Sequence, residues 1–489
     1  MHRLSRGQAL PIALAGIVFI TTMTLVLFNT SQITAQKMRL ANAADAAVYS
    51  GLVWEARVLN YEASLNRAMV ANQVTIGQLV SIMSWMQYLE ISARNIDATL
   101  GWVPVLKPYT HEFYQGSIQA NTYVTRVARP AVGAIDRLIT VLSNAQAAVH
   151  AAGAAAAGDT VLEVVRLNDA RFEVSWPSGL GLAENAVAWS RFTKEYNDLP
   201  GQRRQAEVIR DSLDDHDRGF DGFTHDRGWS KTMADVGIFQ VRLVKGGATR
   251  LIEATTQDEF GNTSTAWEWK GKDTLSIHTR HWGCSWKGCG WRHDEMPIGW
   301  GGALYSTTGQ EVESCAQEGD AFSGSRCDAW SRNRWADRLA DTEMQNVNGT
   351  YGGIRAYRDV SDLSTDDTSN RLRMGLEVIL PKDKARTSSG IPGVGSARNG
   401  AVGASGLEQG LYYYEDRAAG DVYSAVSAGE VYFERPEPRK DGRIEYASLF
   451  NPYWDVRLVN PDRERMIAWG VRALDGLLNG GGGGSVPGS

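Results

Sequence analysis

Cysteine, proline and clustered charge are all scarce in this sequence. Its 489 residues hold four cysteines and 14 prolines, and 50 basic residues are interspersed with 56 acidic ones, for a net charge of −6. Without a basic patch or stripe a phosphate backbone finds no purchase, and nucleic acid is excluded as a partner. The signatures of nucleophilic and metal hydrolysis are missing as well: there is no Gly-x-Ser-x-Gly elbow and no His-Glu-x-x-His. Glu311 and Glu313, and the neighbours His225 and Asp226, stand without a nucleophile or a phosphate loop. Asp214, Asp215, Asp217 and Asp221 cluster, but they lack the Asp-x-Asp-x-Asp-Gly order and terminal Glu of a calcium loop. The expectation is a protein with no catalytic residues, no cofactor and no metal site.

What is present begins with length. The chain is long enough for about three domains, and 43% hydrophobic residues suffice to bury real cores. The 16 tryptophans and 51 glycines are high, and many of the tryptophans fall between Trp267 and Trp335. That richness fits loop-rich β structure displayed outside the cell.

The N-terminus carries the strongest signal. From Ala9 to Phe28 no charge occurs, and the only hydroxyl residues are Thr21, Thr22 and Thr24. A helix of about 20 residues spans roughly 30 Å, one hydrocarbon thickness. Pro11 sits in its first turn, where a missing N–H costs little. The alternative is a secretory signal peptide, but the apolar run is long for one and no small-x-small site follows Phe28. Arg3 and Arg6 place the N-terminus in the cytoplasm by the positive-inside rule, a bias softened by Lys37 and Arg39 on the far side. The rest of the chain is then extracytoplasmic, on a single-pass inner-membrane anchor.

No proline occurs from Ile12 to Val103. A seven-residue apolar register runs from Ile33 through Leu40, Ala47, Trp54 and Tyr61 to Ile96, with companions such as Ala44, Gly51, Val58 and Leu65. Glu55, Arg57, Glu62, Arg67 and Gln73 read as its polar background, and Gly51 and Gly77 as weak points. Such a stripe predicts a long helix seeking a helical partner. That partner is either the chain's own second helical block, Glu112 to Ala157 and broken near Pro130, or a helix of another subunit.

Beyond Ala157 the pattern turns to short β segments. Thr160–Leu167 and Arg171–Trp176 read as a hairpin. Val236–Val244, Thr249–Thr255, Thr263–Trp269 and Thr274–Arg280 read as a meander turning at Gly246-Gly247, Gly261-Asn262 and Gly271. Further strands are expected at Arg371–Leu380, Leu411–Glu415 and Asp421–Glu434, with a Gly/Ser-rich loop at Thr387–Gly410. The expected class is α+β: a transmembrane helix continuing into long helices, then an antiparallel β-rich extracytoplasmic domain. The expected division is 1–28 leader and membrane helix, 29–157 helical stalk, and 158–461 β-rich domain with a Cys/Trp-rich insertion at about 267–345. A C-terminal helix at 462–479 and a flexible tail at 480–489 complete it.

Cys284, Cys289, Cys315 and Cys327 all fall in the part assigned outside the cytoplasm, and an even number there argues for disulfides. Zinc is the alternative, since His278, His281 and His293 flank the first pair, but the cysteine spacing is not that of a zinc knuckle. The expected bonds are Cys284–Cys289 and Cys315–Cys327, with crossed pairing left open. They would stiffen the segment Trp267–Trp300, whose tryptophans either fill a small core or present a surface for a ligand.

Two blocks of sequence point to a family. Arg6-Gly7-Gln8-Ala9-Leu10-Pro11 runs straight into the apolar helix, and Leu40-Ala41-Asn42-Ala43-Ala44-Asp45-Ala46-Ala47 follows, then Ser50-Gly51. Together, at this spacing, they resemble the N-terminal module of TadG-like and TadE-like Flp (tight-adherence) pilus-assembly proteins, over about the first 60 residues. Glu430–Pro436 and Ser448–Leu458 look similar to the C-terminal part of longer proteins of these systems. The sequence departs at Asp359-Val360-Ser361-Asp362-Leu363, which breaks the metal-site run of a von Willebrand type A domain, and at Ile12, where pilins place a Glu. The resemblance implies an assembly factor or a minor or tip-associated pilus component, with other pilus-system membrane proteins or pilins and the inner membrane as partners. Small Ala43, Ala44, Ala46, Ala47 and Gly51 suit close helix packing, and Asp45 is expected to face water or a basic partner. The alternative is an anchored periplasmic hydrolase or binding protein sharing the module.

Overall fold

The structure is a computed structural model describing residues 9–214, 221–257, 263–285, 288–308, 333–347, 349–361, 372–381, 422–439, 442 and 445–479. The chain is α+β and forms two compact units, each assembled from separated stretches. The first unit takes residues 1–63, 148–194 and 359–489; the second takes 64–147 and 195–358. The Leu411–Glu415 strand, the Thr387–Gly410 loop and the 480–489 tail lie outside the described residues.

Two helices contribute to both units. Helix α1 runs from Ala9 to Leu100 and α2 from Lys107 to Asn168. Within each unit they are antiparallel: His150 meets Glu62 in the first, and Gln146 meets Asn66 in the second. The expected break near Pro130 does not occur, because Pro130 lies inside α2. Proline removes one backbone bond and crowds one carbonyl, and buried Ala128 and Val132 on either side hold the helix through that loss. Thr160–Leu167 is likewise the last turns of α2 and not a strand. Val161 and Val165, four residues apart, are buried on one face, so packing overrides the strand preference of β-branched residues.

The seven-residue register of α1 is also corrected. Its leading positions Ile33, Leu40 and Ala47 are buried, but Trp54 and Tyr61 are exposed. The buried line follows Leu40, Gly51, Glu62, Gln73 and Ser84 instead. An 11-residue repeat has about 3.67 residues per turn and stays on one face of a nearly straight helix, whereas a seven-residue repeat drifts around it by about 20° per heptad. Glu55, Glu62 and Gln73, expected on the polar background, are therefore in the core.

In the first unit, the sheet order is β1 (Glu173–Val174), β9 (Arg373–Pro381), β10 (Val422–Phe433) and β11 (Trp454–Val459), all antiparallel. Inward residues Met374, Leu376 and Val378 of β9 join Leu40, Ala44 and Leu52 of α1 and Val161 of α2 in one core. Helix α3 (Trp176–Phe192) lies along β9, and the C-terminal helix α7 (Asp462–Asn479) docks through the pairs Arg373–Glu464 and Arg463–Glu184.

In the second unit, β3 (Trp229–Asp235), β4 (Phe239–Gln257), β5 (Thr263–Ser285), β6 (Gly288–Ser306) and β7 (Gln345–Asn346) form one sheet in that order, antiparallel except for β6–β7. The expected short meander is replaced by three long strands, since neither Gly246-Gly247 nor Gly271 is a turn. A Cβ on Gly247 would stand 2.5 Å from Asp273 Oδ1, and one on Gly271 would stand 2.9 Å from Thr249 Oγ1 and 3.2 Å from Ser84 Cβ on α1. These glycines permit close approach inside the sheet. Helix α4 (Leu199–Asp214), the single turn α5 (Gly222–His225) and α6 (Arg334–Thr342) complete this unit, and β2 (Thr193–Tyr196) pairs with β8 (Tyr357–Val360).

Candidate functional site

The first turns of α1 face outward on every side. Leu10, Ile12, Ile17 and Phe19 are all more than half exposed, Ile12 at 71%. This helix is long and apolar enough to cross a membrane. Its few polar side chains are already satisfied. Thr21, Thr22 and Thr24 donate to the carbonyls of Ile17, Val18 and Ile20 at 2.8 Å. Hydrocarbon offers no other hydrogen-bond partner, so such internal bonds are what a spanning helix requires.

The helix continues without a break into the core of the first unit. Ala43, Ala44 and Ala47 are buried there, Ala46 is half-buried, and Asn42 and Asp45 face solvent. Gly51 is a point of contact: a Cβ there would lie 2.6 Å from Val161 Cγ2 and 3.2 Å from Met374 Sδ. The small residues thus admit α2 and β9 of the same chain. Ala9, Leu10 and Pro11 open the helix, while Gly7 and Gln8 lie outside the described residues.

One turn above Gly51, Glu55 is fully buried, and neither carboxylate oxygen makes a well-formed hydrogen bond. Burial pushes its pKa up to about 8, offset in part by the Asn185 side chain, so the group is mostly neutral at pH 7. Two turns further, His150 Nδ1 lies 2.9 Å from Glu62 Oε1, and its Nε2 is 3.4 Å from Thr193 Oγ1. Acid, imidazole and hydroxyl stand in the order of a proton relay. However, the Trp189 ring stacks on His150 at 4.8 Å and all three side chains are buried, which closes the hydroxyl to any substrate. The trio forms a polar clamp between α1, α2 and the first residue of β2.

The second unit has a charged centre that composition did not reveal. Asp273, fully buried, accepts from both Arg227 Nε and Nη2 at 2.9 Å and from Lys245 Nζ at 2.6 Å, and Ser84 Oγ of α1 donates to it at 2.7 Å. Burial alone would raise the Asp273 carboxyl, but Arg227 and Lys245 hold it below the usual carboxylate range. Lys245 is pushed down by its own burial and partly restored by Asp273. Gln73 is equally engaged: its Oε1 accepts from Tyr351 OH at 2.6 Å and from Trp269 Nε1 at 3.2 Å.

Cys284 and Cys289 face each other at the end of the β5–β6 pair and form a disulfide. Cys315 and Cys327 lie outside the described residues. The flanking histidines do not converge: His278 Nε2 contacts Asn333 Oδ1 at 2.8 Å, and His281 lies 3.6 Å from Asp294. No group of three or more His, Cys, Asp or Glu among the described residues is placed to hold a metal ion. Of the acidic cluster, Asp221 caps α5 by accepting from Thr224 N and also accepts from Gln78 Nε2. Asp359 Oδ1 accepts from the backbone N–H groups of Val360 and Leu449. Of the tryptophans, Trp267 and Trp269 are core residues, while Trp282 and Trp291 are exposed.

Glu430–Pro436 and Ser448–Leu458 come together as β10 and β11, with Glu430 opposite Arg457 and Phe433 opposite Trp454. The comparisons with known proteins do not extend to them. No curated protein and no solved structure matches the chain. Residues 7–58, a stretch that includes the apolar start of α1 and its buried root, match the Tad family model, described as "Putative Flp pilus-assembly TadE/G-like", and over this stretch the chain is similar to that family.

Proposed function

We propose that this protein is a membrane-anchored assembly factor of a Flp pilus, working through helix packing and protein contacts. The observation that carries the reading is the coincidence of the family match at residues 7–58 with a helix that is apolar over Leu10–Phe28, exposed at Leu10, Ile12, Ile17, Phe19 and Leu27, and set in a folded core from Leu40 onward. A continuous helix couples whatever grips the membrane segment to the core that follows it. Its partners are other pilus-system membrane proteins or pilins in the inner membrane. Arg3 and Arg6 favour a cytoplasmic N-terminus, with the bulk of the chain on the other side. Retained arginines would also oppose extraction into a fibre, which favours an assembly factor over a bulk subunit.

Deleting the gene is expected to abolish surface pili and surface adhesion while leaving growth normal; normal piliation in the deletion strain refutes the reading. Intact-mass analysis of membrane-purified protein separates the two roles. A chain retaining Met1-His2-Arg3 fits the anchored factor, and one starting at Gln8 assigns it to the fibre as a minor or tip-associated subunit.

A further inference from the structure

The end of the second unit's sheet carries an apolar tip that belongs to neither core. Val236, Gly237 and Ile238 connect β3 to β4, with Gly237 at φ +79°, and Val236 and Ile238 are 70% and 71% exposed. This connection is fixed beside the β5–β6 pair, because Trp282 N donates to Ile238 O at 2.9 Å. Trp282 and Trp291 oppose each other across that pair, edge to face at 5.5 Å, and are 49% and 39% exposed. Phe239, His281 and Arg292 form the next row, and since paired rows alternate between faces, both faces of the sheet end are open. The Cys284–Cys289 disulfide closes the strands just beyond the tryptophans and keeps this end from fraying.

The charge around the tip is biased. Lys231, Arg242, Arg280 and Arg292 are exposed, and Arg280 lies over the Trp291 ring at 4.3 Å. The nearby acids Asp235 and Asp294 are outnumbered by these cations: Asp235 accepts from Gly237 N and Gln240 Nε2 and sits in the field of Arg242 and Arg280, and Asp294 faces His281. Aliphatic side chains at a turn, with indoles and guanidiniums behind them, form the sequence of groups that matches a bilayer from hydrocarbon outward to headgroup. Two exposed aliphatic residues on the turn and two exposed indoles on the neighbouring strand pair can enter a soft apolar phase. Stacking on a nucleic acid would use the indoles and leave Val236 and Ile238 in water.

We propose that this tip docks on a phospholipid bilayer with anionic headgroups, giving the protein a membrane contact separate from its N-terminal helix. The apolar turn enters the interface while the four cations meet the headgroup phosphates.

The test uses the full chain with an environment-sensitive fluorescent amino acid replacing Ile238, reconstituted in vesicles of phosphatidylcholine or of phosphatidylcholine with phosphatidylglycerol. Vesicles of each composition with brominated acyl chains serve both as the host and as added membranes, so insertion into either is read. The expected result is a blue shift and bromine quenching with phosphatidylglycerol, a much smaller effect with phosphatidylcholine alone, and a partition roughly tenfold weaker in Arg242→Gln/Arg292→Gln. Trp282→Ser in the labelled chain should weaken quenching by a similar factor, with the Cys284–Cys289 bond still present by peptide mapping. Absence of quenching in both lipids overturns the proposal, as does equal quenching by the arginine variant. A spectral shift that depends on protein concentration and not on bromination overturns it too, and assigns the tip to a second copy of the chain.

Discussion

Gly77 of α1 lies against the face of Trp269 so closely that a Cβ on it would stand 2.5 Å from Cζ3 of the indole. Trp269 is fully buried and its Nε1 is bound to Gln73, one turn back on the same helix. The indole cannot retreat without breaking that bond. Gly77→Ala is therefore expected to lower stability by about 1–3 kcal/mol, the usual cost of overpacking, despite the better helix propensity of alanine. Gly133→Ala in α2, where nothing lies within 4 Å, should stabilise by up to about 1 kcal/mol. Thermal unfolding of the two variants in the same detergent checks the pair, and the same sign for both would refute the packing argument.

Glu55 gives a dependence on pH. Its pKa in the folded protein is about 8 against an ordinary value of 4.5, so the folded state holds a proton that the unfolded state releases between those values. Stability from this group is fully present below pH 4.5 and is lost as pH rises towards 8. Glu55→Gln should be nearly neutral at low pH and stabilising by about 2–4 kcal/mol near pH 8. Denaturant unfolding of both proteins across that range measures it; a variant curve parallel to the parent's would contradict the assignment.

Asp273 should behave in the opposite manner. Asp273→Asn leaves Arg227 and Lys245 buried against a neutral group, and breaking such a cluster by removing one partner costs about 3–5 kcal/mol. Replacing Ser84 by Ala removes only one donor to the same carboxylate and should cost about 1–3 kcal/mol. Unfolding free energies that rank Ser84→Ala as the more harmful change would overturn this order.

The disulfide closes a very short loop, so its contribution is local. Cys284→Ser/Cys289→Ser should lower overall stability by no more than about 2–3 kcal/mol, and it should speed amide exchange in residues 281–292 more than in the sheet around Trp269. Non-reducing peptide mapping of the parent protein is expected to show Cys284 joined to Cys289, together with a second bond between Cys315 and Cys327. Uniform acceleration of exchange through the whole sheet would show that the bond supports more than the tip.

The sequence by itself determined the features that are local or periodic. An unbroken apolar run marked a helix long and apolar enough to cross a membrane, and the paired blocks around Gly7–Pro11 and Leu40–Ala47 marked the resemblance that the family model matches over residues 7–58. Strands β9 and β10 and helix α7 were legible because alternation and amphipathicity are written along one segment. Tertiary structure alone decided the rest. The strand-like Thr160–Leu167 is helical since Val161 and Val165 meet α1. Gly247 and Gly271 read as turns but lie inside strands, where Asp273 and α1 come too near for a side chain. The polar residues Glu55, Glu62 and Gln73 are core residues because their partners His150, Tyr351, Trp269 and Asn185 arrive from distant parts of the chain. A buried polar group is tolerated only when a partner meets it, or when, like Glu55, it gives up its charge, and neither outcome can be read from the residue's own neighbours in sequence.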